Sequence, residues 1–109
     1  PGAENAKFLA AFATTVGGKM QPSFIAASSY DGMALIARTL AKTKGNPDGA
    51  AFMEALKGYT SSSPRGTVTI DPATRDIVQT MYIRRIDKQG GKLVATEIDR
   101  FDGVKDPGK

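Results

Sequence analysis

The sequence has no cysteine, no histidine and no tryptophan among its 109 residues, and each absence removes a class of chemistry. Without thiols or imidazoles there is no disulfide framework, no zinc site of the usual ligand type, no thiol nucleophile and no imidazole base for a serine relay. Long apolar runs are missing too: a membrane-spanning helix needs ~20 such residues, and the greasiest stretch is interrupted by Ser28, Ser29 and Asp31. Charge of one sign is only mildly in excess, 15 basic side chains against 11 acidic ones for a net +4. The basic residues interleave with acids along the chain, and only Arg84 and Arg85 are adjacent, so the single patch of a nucleic-acid footprint is not formed. These absences lead us to expect no catalytic residue, no metal, no cofactor and no nucleic-acid partner.

Length sets a ceiling of one domain. A chain of this size buries roughly two-thirds of its unfolded surface, enough for one modest core but not for two lobes closing over a substrate. It opens with Pro1, Gly2 and Ala3, without methionine or an apolar leader, which suggests a piece cut from something longer.

Hydrophobic spacing supplies the positive content. Residues 4–16 place Phe8, Leu9, Phe12 and Val16 at helical spacing, with Glu4 near the start and Gly17 and Gly18 as a stop. Residues 23–43 are the longest periodic stretch: Tyr30, Met33, Ala37 and Leu40 share a stripe that Phe24, Ile25, Leu35 and Ile36 widen. Gly32 weakens the middle of that helix by about 1 kcal/mol relative to alanine. Residues 47–57 read as a third helix, with Asn46 as N-cap, Pro47 in the first turn and Phe52, Met53 and Leu56 as its apolar face.

Residues 59–64 are serine-rich and read as a loop. From Gly66 the period changes from helical to alternating, as Val68 and Ile70 intersperse with Thr67, Thr69 and Asp71, predicting a hairpin over about 66–72 with a turn through Pro72. Residues 77–86 read as a strand, 87–91 as a turn built on Gly90 and Gly91, 93–101 as the partner strand, and 102–109 as a frayed or extended tail.

The fold class is therefore α/β, three helices followed by β-hairpins, but with no complete βαβ unit and no parallel sheet. A helix as apolar as residues 23–40 wants a sheet on one side and helices on the other, so core partners are expected upstream. The faces of Phe8, Phe12, Met33, Ile36 and Leu40 should then be partly bare, and copies of the chain should self-associate.

Three motifs stand in order along the chain. The first runs from Pro22, Ser23, Phe24 and Ile25 through alanines and serines to Tyr30, Asp31 and Gly32. The second is Ser63, Pro64, Arg65, Gly66, Thr67, Val68, Thr69, Ile70, Asp71 and Pro72, and the third is Thr74, Arg75, Asp76, Ile77, Val78 and Gln79. This order resembles the C-terminal part of the type I periplasmic solute-binding proteins of ABC importers, in the branched-chain amino-acid and aromatic-acid receptor group. The resemblance implies two α/β lobes joined by three crossings, closing hinge-fashion on a small carboxylated solute that is handed to a membrane permease. It implies a periplasmic or otherwise extracytoplasmic location. On that reading residues 1–80 complete the first lobe, residues 81–109 supply the crossing strand, hairpin and tail of the second, and the third crossing falls near residues 78–82. Phe24 and Ile25 resemble the apolar lip over the ligand, and Ser23 offers a hydroxyl. The groups that hold the ligand's charged ends belong to upstream segments, so ligand identity does not carry over.

Plainer roles stand beside these. Phe24 and Ile25 are also what a helix-start core uses, and Tyr30 reads as a packed ring. Arg65 reads as a solvated hairpin arginine beside a positive-φ Gly66, and Asp71 and Asp76 read as turn caps rather than an acid–base pair. Asp99, Asp102 and Asp106 lack the spacing of a calcium loop. Arg84, Arg85, Lys88 and Lys92 form the densest basic cluster, although strand alternation puts the two arginines on opposite faces. That cluster motivates a second reading, a free-standing basic module binding protein or nucleic acid through its hairpin.

Overall fold

The computed structural model describes residues 2–107 as three helices followed by four strands. The helices are α1 (Ala3–Val16), α2 (Phe24–Lys42) and α3 (Gly49–Leu56); the strands are β1 (Thr60–Ser63), β2 (Gly66–Ile70), β3 (Ile77–Gln89) and β4 (Lys92–Val104). All four strands lie in one antiparallel meander in chain order.

α2 begins where Ser23, in extended backbone, accepts from the Ala26 amide through Oγ at 3.4 Å. The third helix starts later than its signals predict. Asp48, not Asn46, is the N-cap, accepting from the Ala51 amide at 2.8 Å. Asn46 Oδ1 is taken up one turn earlier by the Asp48 amide at 3.0 Å, so Pro47 precedes the helix instead of opening it.

The serine-rich segment is a strand rather than a loop. Thr60, Ser61, Ser62 and Ser63 pair with Thr69, Val68, Thr67 and Gly66 across a two-residue turn at Pro64 and Arg65. Serine has little strand preference of its own, and the pairing partner supplies what composition does not. β3 likewise continues through the predicted turn to Gln89, leaving Gly90 and Gly91 alone in the loop with φ of 57° and 81°. Two successive positive φ angles are what a type I′ turn between twisted strands demands. β4 runs on to Val104, and Lys105, predicted to fray, donates to Asp71 at 2.7 Å; residues 108–109 of the predicted tail lie outside the described residues.

Little of this surface is covered. Among the described residues the buried apolar side chains are Phe8, Ala27, Leu56 and Val68. Phe8 is buried where partial exposure was expected, because the rings of Phe12 and Tyr30 close over it with centroids at 6.0 and 5.2 Å. Phe12 and Leu40 are half-covered, while Met33 and Ile36 remain bare as expected, at 64% and 43%. The accessible surface is 7754 Å², against about 5,800 Å² expected for a compact protein of this mass. The radius of gyration is 16.3 Å, against about 13 Å for a compact chain of this length. Much of the excess lies on α2 and on the distal β3–β4 hairpin, where Ile86 and Leu93 are 62% and 77% exposed.

Candidate functional site

The N-terminal ends of α1 and α2, the β1–β2 turn and the start of β3 surround a groove of ≈ 980 Å³. Buried Phe8 and Ala27 contribute to its lining, and Phe24, Met81, Tyr82 and Arg84 stand along it. Two helix N-termini open onto this space, and the positive ends of their dipoles make it favourable for negative charge. Glu4 also lines it, but Lys7 donates to its carboxylate at 2.8 Å, holding the acid below and the amine above their ordinary pKa ranges. The Arg84 guanidinium lies 5.7 Å from the centre of the Tyr82 ring, so cation and aromatic face are presented together.

Arg65 organises the wall. Its Nε and Nη2 reach Asp31 Oδ2 at 3.0 and 2.9 Å, and Nη1 donates to Gln79 Oε1 at 2.8 Å. The same carboxylate oxygen accepts from Ser63 Oγ at 2.7 Å, and Tyr82 Oη donates to the Arg65 carbonyl at 2.8 Å. Expected to stay in solvent, Arg65 is instead three-quarters shielded, with Asp31 more so; their side chains are 25% and 14% exposed. The tight turn folds the arginine back toward α2, and a carboxylate waits there. Gly66 completes the turn at φ 103°, with Tyr82 Oη only 3.0 Å from where a Cβ would stand. A smaller cavity of ≈ 180 Å³ shares Glu4, Ser62 and Arg65 with the groove and is floored by Leu35, Val68, Ile70 and Ile77.

The residues singled out from sequence separate in space. Ser23 and Phe24 line the groove, Phe24 being 78% exposed, whereas Ile25 is 62% exposed and lies outside the lining. Ser23 Oγ already serves as the helix cap, which leaves its hydroxyl proton for a second partner. Tyr30 packs its ring on Phe8 but stays 40% exposed, so it is only in part the packed ring expected. Asp71 caps its turn, accepting from the amides of Ala73 and Thr74 at 2.8 and 3.2 Å. Together with Lys105, these donors bring its pKa down to about 2. Arg84 and Arg85 do fall on opposite faces, opposite Glu97 and Thr96. Sequence reasoning missed Asp31, Gln79 and Tyr82 as wall residues. Asp31 and Arg65 are 34 positions apart, and no local pattern joins them.

Comparison with known proteins gives one consistent answer. The sequence model of a family described as periplasmic binding protein matches residues 1–92. The Leu/Ile/Val-binding protein homolog 6 of Brucella melitensis is 39% identical over 106 residues, 96% of this chain but 27% of that protein. A solute-binding protein of an ABC transporter from Rhodopseudomonas palustris BisB5, solved in complex with 3,4-dihydroxybenzoic acid, is 46% identical with a TM-score of 0.90. The match covers 99% of this chain and 29% of that one. A second such protein, from R. palustris HaA2 with p-hydroxybenzoic acid, is 36% identical with a TM-score of 0.85 over the same shares. The chain thus spans little more than a quarter of the length of the relatives it matches.

Proposed function

The chain belongs to the periplasmic binding protein family, and from that premise we propose that it is part of the solute-binding component of an ABC importer. It contributes one wall of a cleft for a small aromatic carboxylate. The observation that carries this reading is the groove itself, where the Phe24 and Tyr82 rings and the Arg84 guanidinium stand with two anion-favouring helix ends. Aromatic rings offer stacking area to a benzoate-like solute, and the helix ends suit its carboxylate. The solved relatives that hold hydroxybenzoic acids favour an aromatic acid over the branched-chain amino acid named for the Brucella relative.

In this reading Ser23 and Phe24 contact the solute and Ile25 extends the apolar lip. Residues 1–80 belong to the first lobe and residues 81–109 to the second, with the crossing near residues 78–82. The solute shifts an open-to-closed equilibrium by binding the closed form better, the complex engages a membrane permease outside the cytoplasm, and no bond is made or broken. The basic-module alternative is not favoured: Arg85 is engaged by Asp87 at 2.8 Å, and the hairpin's arginines face opposite ways.

The test is thermal unfolding of a protein of the relatives' length that carries this chain, with and without 4-hydroxybenzoate, 3,4-dihydroxybenzoate or leucine. A solute at a hundred times its Kd adds about 2.7 kcal/mol, so the aromatic acids should raise Tm by several degrees and Phe24→Ala should weaken binding roughly tenfold. A rise with leucine alone would overturn the aromatic assignment, and no rise with any of the three would overturn the receptor reading.

A further inference from the structure

β3 changes partners along its length. Residues Ile77, Val78 and Gln79 pair with β2, whereas from Met81 to Gln89 the strand pairs with β4. Gln79 is paired on both edges, with Val68 on one side and Val104 on the other, and the first register irregularity of the β3–β4 ladder follows it, between Gln79 and Met81. Beyond that irregularity the hairpin runs out as a two-stranded arm, and a bulged two-stranded ribbon bends more readily than a sheet.

Arg65 stands at this junction. Its guanidinium spans from Asp31 on α2 to Gln79, and its carbonyl takes the Tyr82 hydroxyl from the first residues of the arm. One planar group therefore bridges helix, turn and strand at the place where bending is easiest, and a planar fork holds direction as well as distance. We infer that Arg65 is a positioning residue that sets the angle at which the β3–β4 arm leaves the helical body. Asp31 and Ser63 orient the guanidinium, and Gln79 receives the constraint. The contact between Lys105 and Asp71 anchors the other strand of the arm through an exposed, flexible side chain, which holds distance but not angle. The clamp stands on the geometry of this chain alone, independent of the receptor reading above.

The absence of cysteine makes the test direct. Spin labels on the full chain at Met33→Cys in α2 and Lys92→Cys at the arm's tip report the arm angle as a distance distribution, read without solute. The expected result is a narrow distribution in the parent and a width at least doubled in Arg65→Gln and in Gln79→Leu, with unchanged circular dichroism. Arg65→Lys, which keeps the charge but not the fork, should lie between. Should Arg65→Gln fail to fold, Gln79→Leu, which leaves the Asp31 pair in place, decides by the same width. Unchanged widths in the folded variants would overturn the clamp, as would equal broadening from Lys105→Ala. Because no solute enters the measurement, a failed clamp and a failed receptor reading are separate results.

Discussion

Truncating Phe8 to alanine should release α1 from the rest of the molecule without unfolding the sheet. Phe8 is 5% exposed, and its ring is what α1 lays against Tyr30 of α2. Replacing a buried phenylalanine with alanine costs about 3–5 kcal/mol, the lost transfer energy plus the cavity left behind. A chain of this size has about 5–15 kcal/mol in total, and one with this much uncovered surface belongs at the low end, so the substitution removes half or more of what there is. The loss should be local. α1 has 14 residues, and helices of about 12–15 residues are marginal in water without packing. Its partners within the chain are few, whereas β1 to β4 are held by continuous ladders. Amide hydrogen exchange is the assay: α1 amides should lose protection by two orders of magnitude or more in Phe8→Ala, since about 1.4 kcal/mol is a factor of ten, while β2 and β3 amides keep theirs. Equal loss of protection in helix and sheet, or none in α1, would refute the argument that Phe8 is the fastening.

Two further outcomes follow from the turns. The Asp71 carboxyl, held near pKa 2 by Lys105 and by two turn amides, contributes stability that is fully present above its ordinary pKa of 3.8 and is lost as pH falls toward 2. Thermal scans should therefore show Tm dropping between about pH 4 and pH 2, and Asp71→Asn should flatten that drop; an unchanged slope would refute the assignment. Gly66→Ala should destabilise by about 1–3 kcal/mol, because φ is 103° there and the new methyl meets the Tyr82 hydroxyl at 3.0 Å. Gly32→Ala, with open space around it in α2, should stabilise by about 0.5–1 kcal/mol; urea midpoints that rank the two the other way would refute both.

Much of the architecture was legible because it is encoded locally. The stops of α1 and α2 and the alternation of β2 and β3 each depend on neighbours within a few positions. β1 was not legible, because three consecutive serines after Thr60 are ordered by a partner on the next strand. The end of β3 was misplaced for a similar reason: polar Asp87, Lys88 and Gln89 look like turn residues until Val94, Leu93 and Lys92 pair with them. Of the groove, Ser23 and Phe24 were reached through the family resemblance of their motif, whereas Asp31, Gln79 and Tyr82 carry no local sign of their role.

Sequence alone determined that the chain carries no thiol and no imidazole, that three helices precede the hairpins, and which family the motif order resembles. These depend on residue identity and short-range spacing, which are present in the chain before it folds. Tertiary structure decided that Arg65 leaves solvent to join Asp31 and Gln79, and that Phe8 is covered while Met33 and Ile36 are not. Such pairings depend on how segments tens of residues apart are brought together, and no periodicity within either segment records the distance between them.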